Sequence, residues 1–432
     1  MLSPLDAFYT KVARGQSMGS GGYGPLSPKV PKNTASLGEF SNIPLLELPD
    51  GFEYTALSIA GTAMNDGNPV PGDHDGMAAF AGRRGEIILI RNHELSPNEI
   101  DKALKAPDNK KYDPLCLGGT TTVVVKPDGT LARHYASLAG TYRNCAGGPT
   151  PWGSWISCEE NTSTPAGNTT GNPNNVSKWH GYNFEVAARS RGLVTPVPLT
   201  AMGRFNHEAI AVDPKTGYVY QTEDRSDSCF YRFRPKVKRN LKAGGLLEAM
   251  VIKGMPQVNT GTGFLPYKGQ PMPVEWVRID TVNPADDTLR YEAQGKGAAI
   301  VVRGEGAWYG NGLVYFVSTS GGNIGRGQVF AYNPANETVT LVVESENPSE
   351  LDNPDNIAVA PFGDLILCED GDGDQFVVGV NTQGELYHFA RNITSDSIGE
   401  YREFCGACFS PDGSKLFFNI QEPGITFCVW GP

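Results

Sequence analysis

The feature that most limits how this chain can fold is a hairpin repeated six times. His207–Asp224, HEAIAVDPKTGYVYQTED, and Asp355–Asp370, DNIAVAPFGDLILCED, each start with a polar pair and run through an apolar strand. They turn at DPKTG or PFGD and return through a second strand to Glu-Asp. Glu305–Thr319 has the same form around GNG and Cys405–Gln421 around SPDG, while Asp75–Glu94 and Gly147–Glu160 complete the set. The turn residues supply the positive-φ positions that tight hairpins need. Strand-like segments such as TTTVVVKPDGTLARHYAS and QVFAYNPANETVTLVVES follow the hairpins, as the outer strands of a four-stranded blade would. After the sixth hairpin only ITFCVWGP remains, and Gly51–Ile59, GFEYTALSI, supplies the strand it lacks. The expected fold class is therefore all-β, a six-bladed β-propeller closed by an N-terminal strand. Residues 1–45 form an irregular arm and 46–432 a single domain, with 235–300 an insertion between blades three and four over one face. Helical periodicity is confined to DAFYTKVARG (Asp6–Gly15) and PNEIDKALKA (Pro97–Ala106).

Composition fits this reading. The 52 Gly and 32 Pro are spread through 432 residues instead of marking a linker, as expected for many short strands joined by turns. A formal charge of -11 argues against nucleic acid, whose phosphates demand Lys and Arg. An acidic chain binds phosphorylated small molecules only where metals reverse the local charge. No apolar run approaches the roughly 18 residues of a membrane span. MLSPLDAFYTKVARGQS lacks the charged and apolar regions of a secretory signal. The eight Cys show no dense disulfide spacing, and the CGAC at Cys405–Cys408 reads as structural without a second CxxC.

Strand ends carry the chemistry. WGSWISCEEN, Trp152–Asn161, sets Cys158, Glu159 and Glu160 side by side, and similar ends recur at Glu94, Glu223, Thr319, Glu369 and Gln421. In an antiparallel hairpin the start of one strand lies beside the end of the other, so Glu208 neighbours Glu223, Glu305 neighbours Thr319, and Asp355 neighbours Glu369. Inner strands of a propeller line one channel, which gathers these groups at a common mouth. Such a mouth raises its own carboxyl pKa values unless cations neutralise it, so metal binding is expected. Thiolate favours iron, zinc or copper, whereas carboxylates favour calcium or magnesium, so a mixed cluster is expected with a transition metal at Cys158.

His93 and His207 precede Glu in RNHE and FNHE; neighbours point to opposite faces, and the Glu is the expected ligand of each pair. Arg303, two residues before Glu305, is a bidentate clamp for phosphate or carboxylate, or else a surface arginine. GDGDQ at Gly371–Gln375 lacks the frame of a calcium loop, and SGGNIGRGQ at Ser320–Gln328 precedes no helix. Sequons occur at Asn161 and Asn168, and no segment reads as a credible nucleophile elbow.

TPWGSWISCEEN, GRFNHEAIAVDP, VRGEGAWYGNGLVYFVSTSGG, NPDNIAVAPFGDLILCEDG and CFSPDGSKLFFNIQEPG, in this order, resemble motifs of the PhoX alkaline phosphatases from about Asp73 to the C-terminus. The resemblance implies a six-bladed propeller holding two ferric ions, Fe(III), and three calcium ions, Ca2+, bridged by an oxo group and a cysteine thiolate. It implies that Cys158 is that thiolate, that Glu208, Glu305 and Asp355 are further ligands, and that Arg303 holds phosphate. Strand geometry adds Glu94, Glu159, Glu223 and Glu369 as ligands. The implied activity is phosphomonoester hydrolysis by a monomer, in the periplasm or secreted, with a nucleophile generated at the metals. The family's export signal is absent from this sequence, and Glu422 in NIQEPG stands where the family motif has His. A calcium-dependent propeller hydrolase acting on lactones or phosphotriesters, and a metal-stabilised binding scaffold, are the alternatives; the first needs no thiolate.

Overall fold

The computed structural model describes residues 22–167 and 175–431; Asp6–Gly15 and the sequon at Asn168 lie outside them. The regular secondary structure of the described residues is almost wholly antiparallel β-strand, as the alternating apolar segments dictate. Strands β1 (Leu26–Lys29), β2 (Leu46–Pro49) and β3 (Glu53–Leu57) come first. β4 (His74–Ala81), β5 (Ile87–His93), β6 (Gly118–Val125) and β7 (Leu131–Thr141) form a four-stranded sheet. β8 (Asn144–Pro149), β9 (Ser154–Glu159) and β10 (Asn183–Ala187) form a three-stranded one. Then come β11 (His207–Val212), β12 (Val219–Glu223), β13 (Tyr231–Pro235), β14 (Gly245–Ile252) and β15 (Met272–Arg278). Helix α1 (Leu289–Gly295) precedes β16 (Gly304–Gly310), β17 (Leu313–Ser318), β18 (Gln328–Asn333) and β19 (Thr338–Glu344). The last strands are β20 (Pro354–Val359), β21 (Leu365–Glu369), β22 (Phe376–Val380), β23 (Leu386–Asn392), β24 (Phe404–Phe409), β25 (Leu416–Ile420) and β26 (Ile425–Trp430).

The sheets differ from six separate blades. β15 pairs with β14 from Glu248 to Ile252 and with β19 at Met272 and Pro273 alone, which fuses β11–β19 into one nine-stranded sheet. The segment 235–300 thus contributes β14 and β15 to the sheet, together with α1, whose Arg290 binds Glu223 and Asp227. β2 adds to β23 and β1 to β2, so part of the expected irregular arm is strand. β3 pairs with β26 along Glu53–Leu57, joining the two ends of the chain. Pro97–Ala106 holds only a 3-10 turn at Ile100–Lys102, not the helix its periodicity predicts.

The first strands of the six hairpins, β4, β8, β11, β16, β20 and β24, pack each against the next, and β24 returns against β4. The arrangement is propeller-like. Apolar faces are buried between successive sheets, and Trp308 on β16 packs against four of these clusters. Small residues make the close approach of inner strands possible. A Cβ on Gly306 would lie 2.6 Å from the Asp355 carbonyl oxygen, and one on Gly76 would lie 2.6 Å from Ala146 Cα.

Candidate metal centre

All six hairpins carry a register shift near the start of their first strand: between His74 and Met77, Asn144 and Gly147, His207 and Ile210, Gly304 and Ala307, Pro354 and Asn356, and Cys405 and Cys408. A β-bulge re-aims the side chain it contains. In the first five hairpins that side chain is Asp75, Cys145, Glu208, Glu305 or Asp355, and all five line one cavity of about 250 Å³. The sixth contributes Glu403, just before β24. From the far ends of the hairpins come Glu94, Glu160, Asp224, Asp370 and Gln421. Three guanidinium groups, Arg143, Arg303 and Arg402, stand among these carboxyls.

Two groups of ligand atoms meet here: Cys145, Glu160 and Glu208, and Glu208, Glu305 and Asp355, each within 4.8 Å of one another. Glu208 belongs to both. Burial and mutual repulsion hold Asp75, Glu208, Glu305 and Glu403 well above the usual carboxylate range and lift Asp355 to about 7. Burial, then Glu208, also pushes the Cys145 thiol up. Arg303 donates from Nε to Asp224 Oδ1 at 2.9 Å and from Nη2 to Asp224 Oδ2 at 3.1 Å and Glu305 Oε1 at 2.6 Å. Burial opposes its charge, yet Glu305 and Asp224 raise its pKa. Arg143 repeats the device, donating to Glu94 and, at 2.6 Å, to Glu160. Each arginine lies two residues before its bulge residue with a left-handed backbone, φ 44° at Arg143 and 48° at Arg303.

Of the residues singled out from sequence, Glu94, Glu208, Glu305, Asp355 and Arg303 line the cavity. Cys158, Glu159, Glu223 and Glu369 do not. Cys158 pairs with Asn183 on the outer side of β9 and packs in the apolar cluster with Ile156, Phe205 and Ile210. The cavity thiol is Cys145, which a hairpin begun at Gly147 leaves just outside. Glu159, Glu223 and Glu369 are the final residues of β9, β12 and β21, so their side chains turn sideways. Glu159 accepts from the amides of Tyr142, Gly181 and Tyr182; Glu369 accepts from those of Asp352 and Phe376; Glu223 accepts from the Tyr231 hydroxyl at 2.7 Å. The next residue in each case, Glu160, Asp224 or Asp370, faces the cavity. His93 and His207 point away, to the Gly72 and Gly203 carbonyls, leaving the adjacent Glu to the cavity. Glu422 is not at the cavity; its charge meets Lys102, which also binds Asp73 at 2.8 Å.

Sequence reasoning missed Asp75, Cys145, Arg143, Arg402 and Glu403 as site residues. A signal for the bulge residues exists: a carboxylate or thiol followed by a small residue, as in Asp75-Gly76, Cys145-Ala146, Glu208-Ala209 and Glu305-Gly306. The small partner is what allows neighbouring inner strands to touch.

The model of the family described as "Alkaline phosphatase PhoX" matches residues 22–133 and 128–424. The chain belongs to the PhoX alkaline phosphatase family. Among solved structures, PhoX of Pseudomonas fluorescens in complex with vanadate, a transition state analogue, is similar at 19% identity and TM-score 0.69, over 90% of this chain and 96% of that one. A virginiamycin B lyase from Staphylococcus aureus matches at 12% identity and TM-score 0.44, over 88% and 99% of the two chains. A gluconolactonase from Xanthomonas campestris matches at 12% identity and TM-score 0.42, over 95% and 99%. No curated protein matches. Within this PhoX member the donor set suits metal ions: crowded oxygens, one thiol, and too few guanidinium groups to neutralise the carboxyls.

Proposed function

We propose that this chain is a metal-dependent phosphomonoesterase acting in the carboxylate cavity. The observation that carries the reading is Arg303, held by Asp224 and Glu305 beside the joined ligand groups of Cys145, Glu208, Glu305 and Asp355. Family membership supplies the reaction class. Cys145, with Glu160 and Glu208, would hold Fe(III), and the remaining carboxylates would hold Ca2+, following thiolate and oxygen preference. Bound there, the ions would supply Lewis acidity, charge neutralisation and an activated nucleophile.

The rest falls to the chain itself. With Nε and Nη2 of its planar fork donating to Asp224 and Glu305, Arg303 keeps its Nη1 protons for phosphoryl oxygen and strengthens that contact as charge develops there. Asp224 keeps that fork oriented before substrate arrives. Among the described residues the cavity lining contains no serine or threonine, in keeping with a nucleophile not supplied by a hydroxyl of the protein. Nine carboxyls there face three guanidinium groups, so a phosphate dianion enters only once cations have reversed the charge.

The fold reading belongs with this. We take the nine-stranded sheet as two blades bridged by β15, which makes the ring six blades closed by β3, in one domain over 46–432. By family the location is the periplasm or the medium, the substrate a small phosphate ester, and the working form a monomer. Elemental analysis of purified protein tests the centre: iron and calcium near two to three, with p-nitrophenyl phosphate hydrolysis lost on chelation, is expected. Calcium without iron, or activity that survives complete chelation, overturns it.

A further inference from the structure

A second cluster of ligand atoms lies away from this cavity. Asp113 and Cys116 sit in the connection between β5 and β6, and His180 in that between β9 and β10. All three are wholly buried, and their ligand atoms lie within 4.8 Å of one another. The His180 Nδ1 is 2.7 Å from Glu159 Oε1, the partner a carboxylate makes for a metal-bound imidazole. That hydrogen bond uses Nδ1–H and leaves Nε2 facing Asp113 Oδ2 at 3.3 Å and Cys116 Sγ at 3.5 Å, the nitrogen on which a metal would replace a proton. The 3.3 Å separation is long for a hydrogen bond between an imidazole nitrogen and a carboxylate oxygen, whereas 3.5 Å is ordinary between nitrogen and sulfur. Ligands placed about 2.0–2.3 Å from a tetrahedral zinc stand roughly 3.3–3.8 Å apart, which is the spacing found. Asp113 is itself immobilised by the amides of Leu115, Ser177 and Lys178. The edges of the Tyr112 and Tyr142 rings meet the imidazole at centroid distances of 5.4 and 5.6 Å.

We propose that Asp113, Cys116 and His180 bind a structural zinc ion, separate from the catalytic metals. Zinc takes the Cys116 thiolate, the neutral His180 Nε2 and one Asp113 oxygen, with water in the fourth position, and the protons on the Cys116 thiol and His180 Nε2 leave to solvent as it binds. The two connections it ties are long and hold only 3-10 turns among their described residues. They begin at Glu94 and Glu160, the two carboxylates that share Arg143 at the cavity. The ion would therefore brace one wall of the catalytic site without touching substrate.

Cobalt substitution is the test, made in a Cys145→Ser background so that the cavity thiol contributes nothing. Cobalt(II) should give a thiolate charge-transfer band and a tetrahedral d–d spectrum, and Cys116→Ser should remove the band. Zinc-edge X-ray absorption of the same Cys145→Ser protein should find one sulfur neighbour, and this decides the matter if the Cys116 variant does not fold. A folded Cys145→Ser protein that retains no zinc at neutral pH overturns the proposal, leaving an imidazolium bridged between Asp113 and Glu159. Zinc without a sulfur neighbour, or a charge-transfer band that survives Cys116→Ser, overturns it equally.

Discussion

Cys145 and Cys158 belong to one hairpin and one apolar cluster and are both buried free thiols, yet only Cys145 lines the cavity. Cys145 meets Glu160 and Glu208; Cys158 meets Ile156 and Phe205. Cys145→Ser should therefore lose iron and lower kcat/KM by at least about 100-fold, the scale of removing a group that positions transition-state charge. Cys158→Ser should keep its metals and activity and lose about 1–3 kcal/mol of stability, because a hydroxyl replaces a thiol among apolar side chains. Metal content, steady-state kinetics and urea unfolding on the pair separate the two roles. Equal iron loss in both variants would reject the assignment. Arg303→Lys keeps charge but not the planar fork, so kcat/KM on p-nitrophenyl phosphate should fall roughly 10- to 100-fold with metal content unchanged.

Strands and bulges translate these residues into a ring. Five of the six inner strands reach the cavity through a bulge, and at Gly76 and Gly306 the next strand lies so close that a side chain has no room. Gly306→Ala would set a methyl group 2.6 Å from the Asp355 carbonyl oxygen. It should cost about 1–3 kcal/mol and move Asp355 enough to weaken metal retention, measured by unfolding and by elemental analysis. Gly295→Ala is the control, since nothing lies within 4 Å of its Cβ position at the end of α1; stability should stay within about 1 kcal/mol of the parent. Hairpins, turns and acidic ends were legible because each is a local pattern. The choice between Glu159 and Glu160, Glu223 and Asp224, or Glu369 and Asp370 was not. It depends on whether the strand ladder ends before or after the first acid, which the partner strand decides.

Across the whole molecule, the gathered carboxyls tie stability to metal and pH. Burial lifts Asp355 to about 7, and Glu208 and Glu305 well above the usual range, whereas the unfolded chain releases these protons near pH 4. Between about pH 4 and pH 7 the metal-free native protein holds protons that the unfolded chain has lost. Its stability should fall as pH rises, by up to about 1.4 kcal/mol per pH unit for each such group. Metal loading displaces those protons, so the loaded protein should not lose stability over the same range. Calorimetry of chelated and loaded samples from pH 5 to pH 8 checks the sign, and parallel curves would count against a shared carboxylate centre. The sequence by itself determined the hairpin repeat, the all-β class and a surplus of acids at strand ends, because period-2 patterning and turn residues act over a few positions. It also carried five of the cavity residues, Glu94, Glu208, Glu305, Asp355 and Arg303. Tertiary structure alone decided which cysteine meets the acids, which member of each acidic pair turns inward, and that Asp113, Cys116 and His180 share one point. Those outcomes depend on bulge positions, which the acid- or thiol-then-small-residue pattern marks only in part, and on contacts between distant segments, which no local pattern encodes.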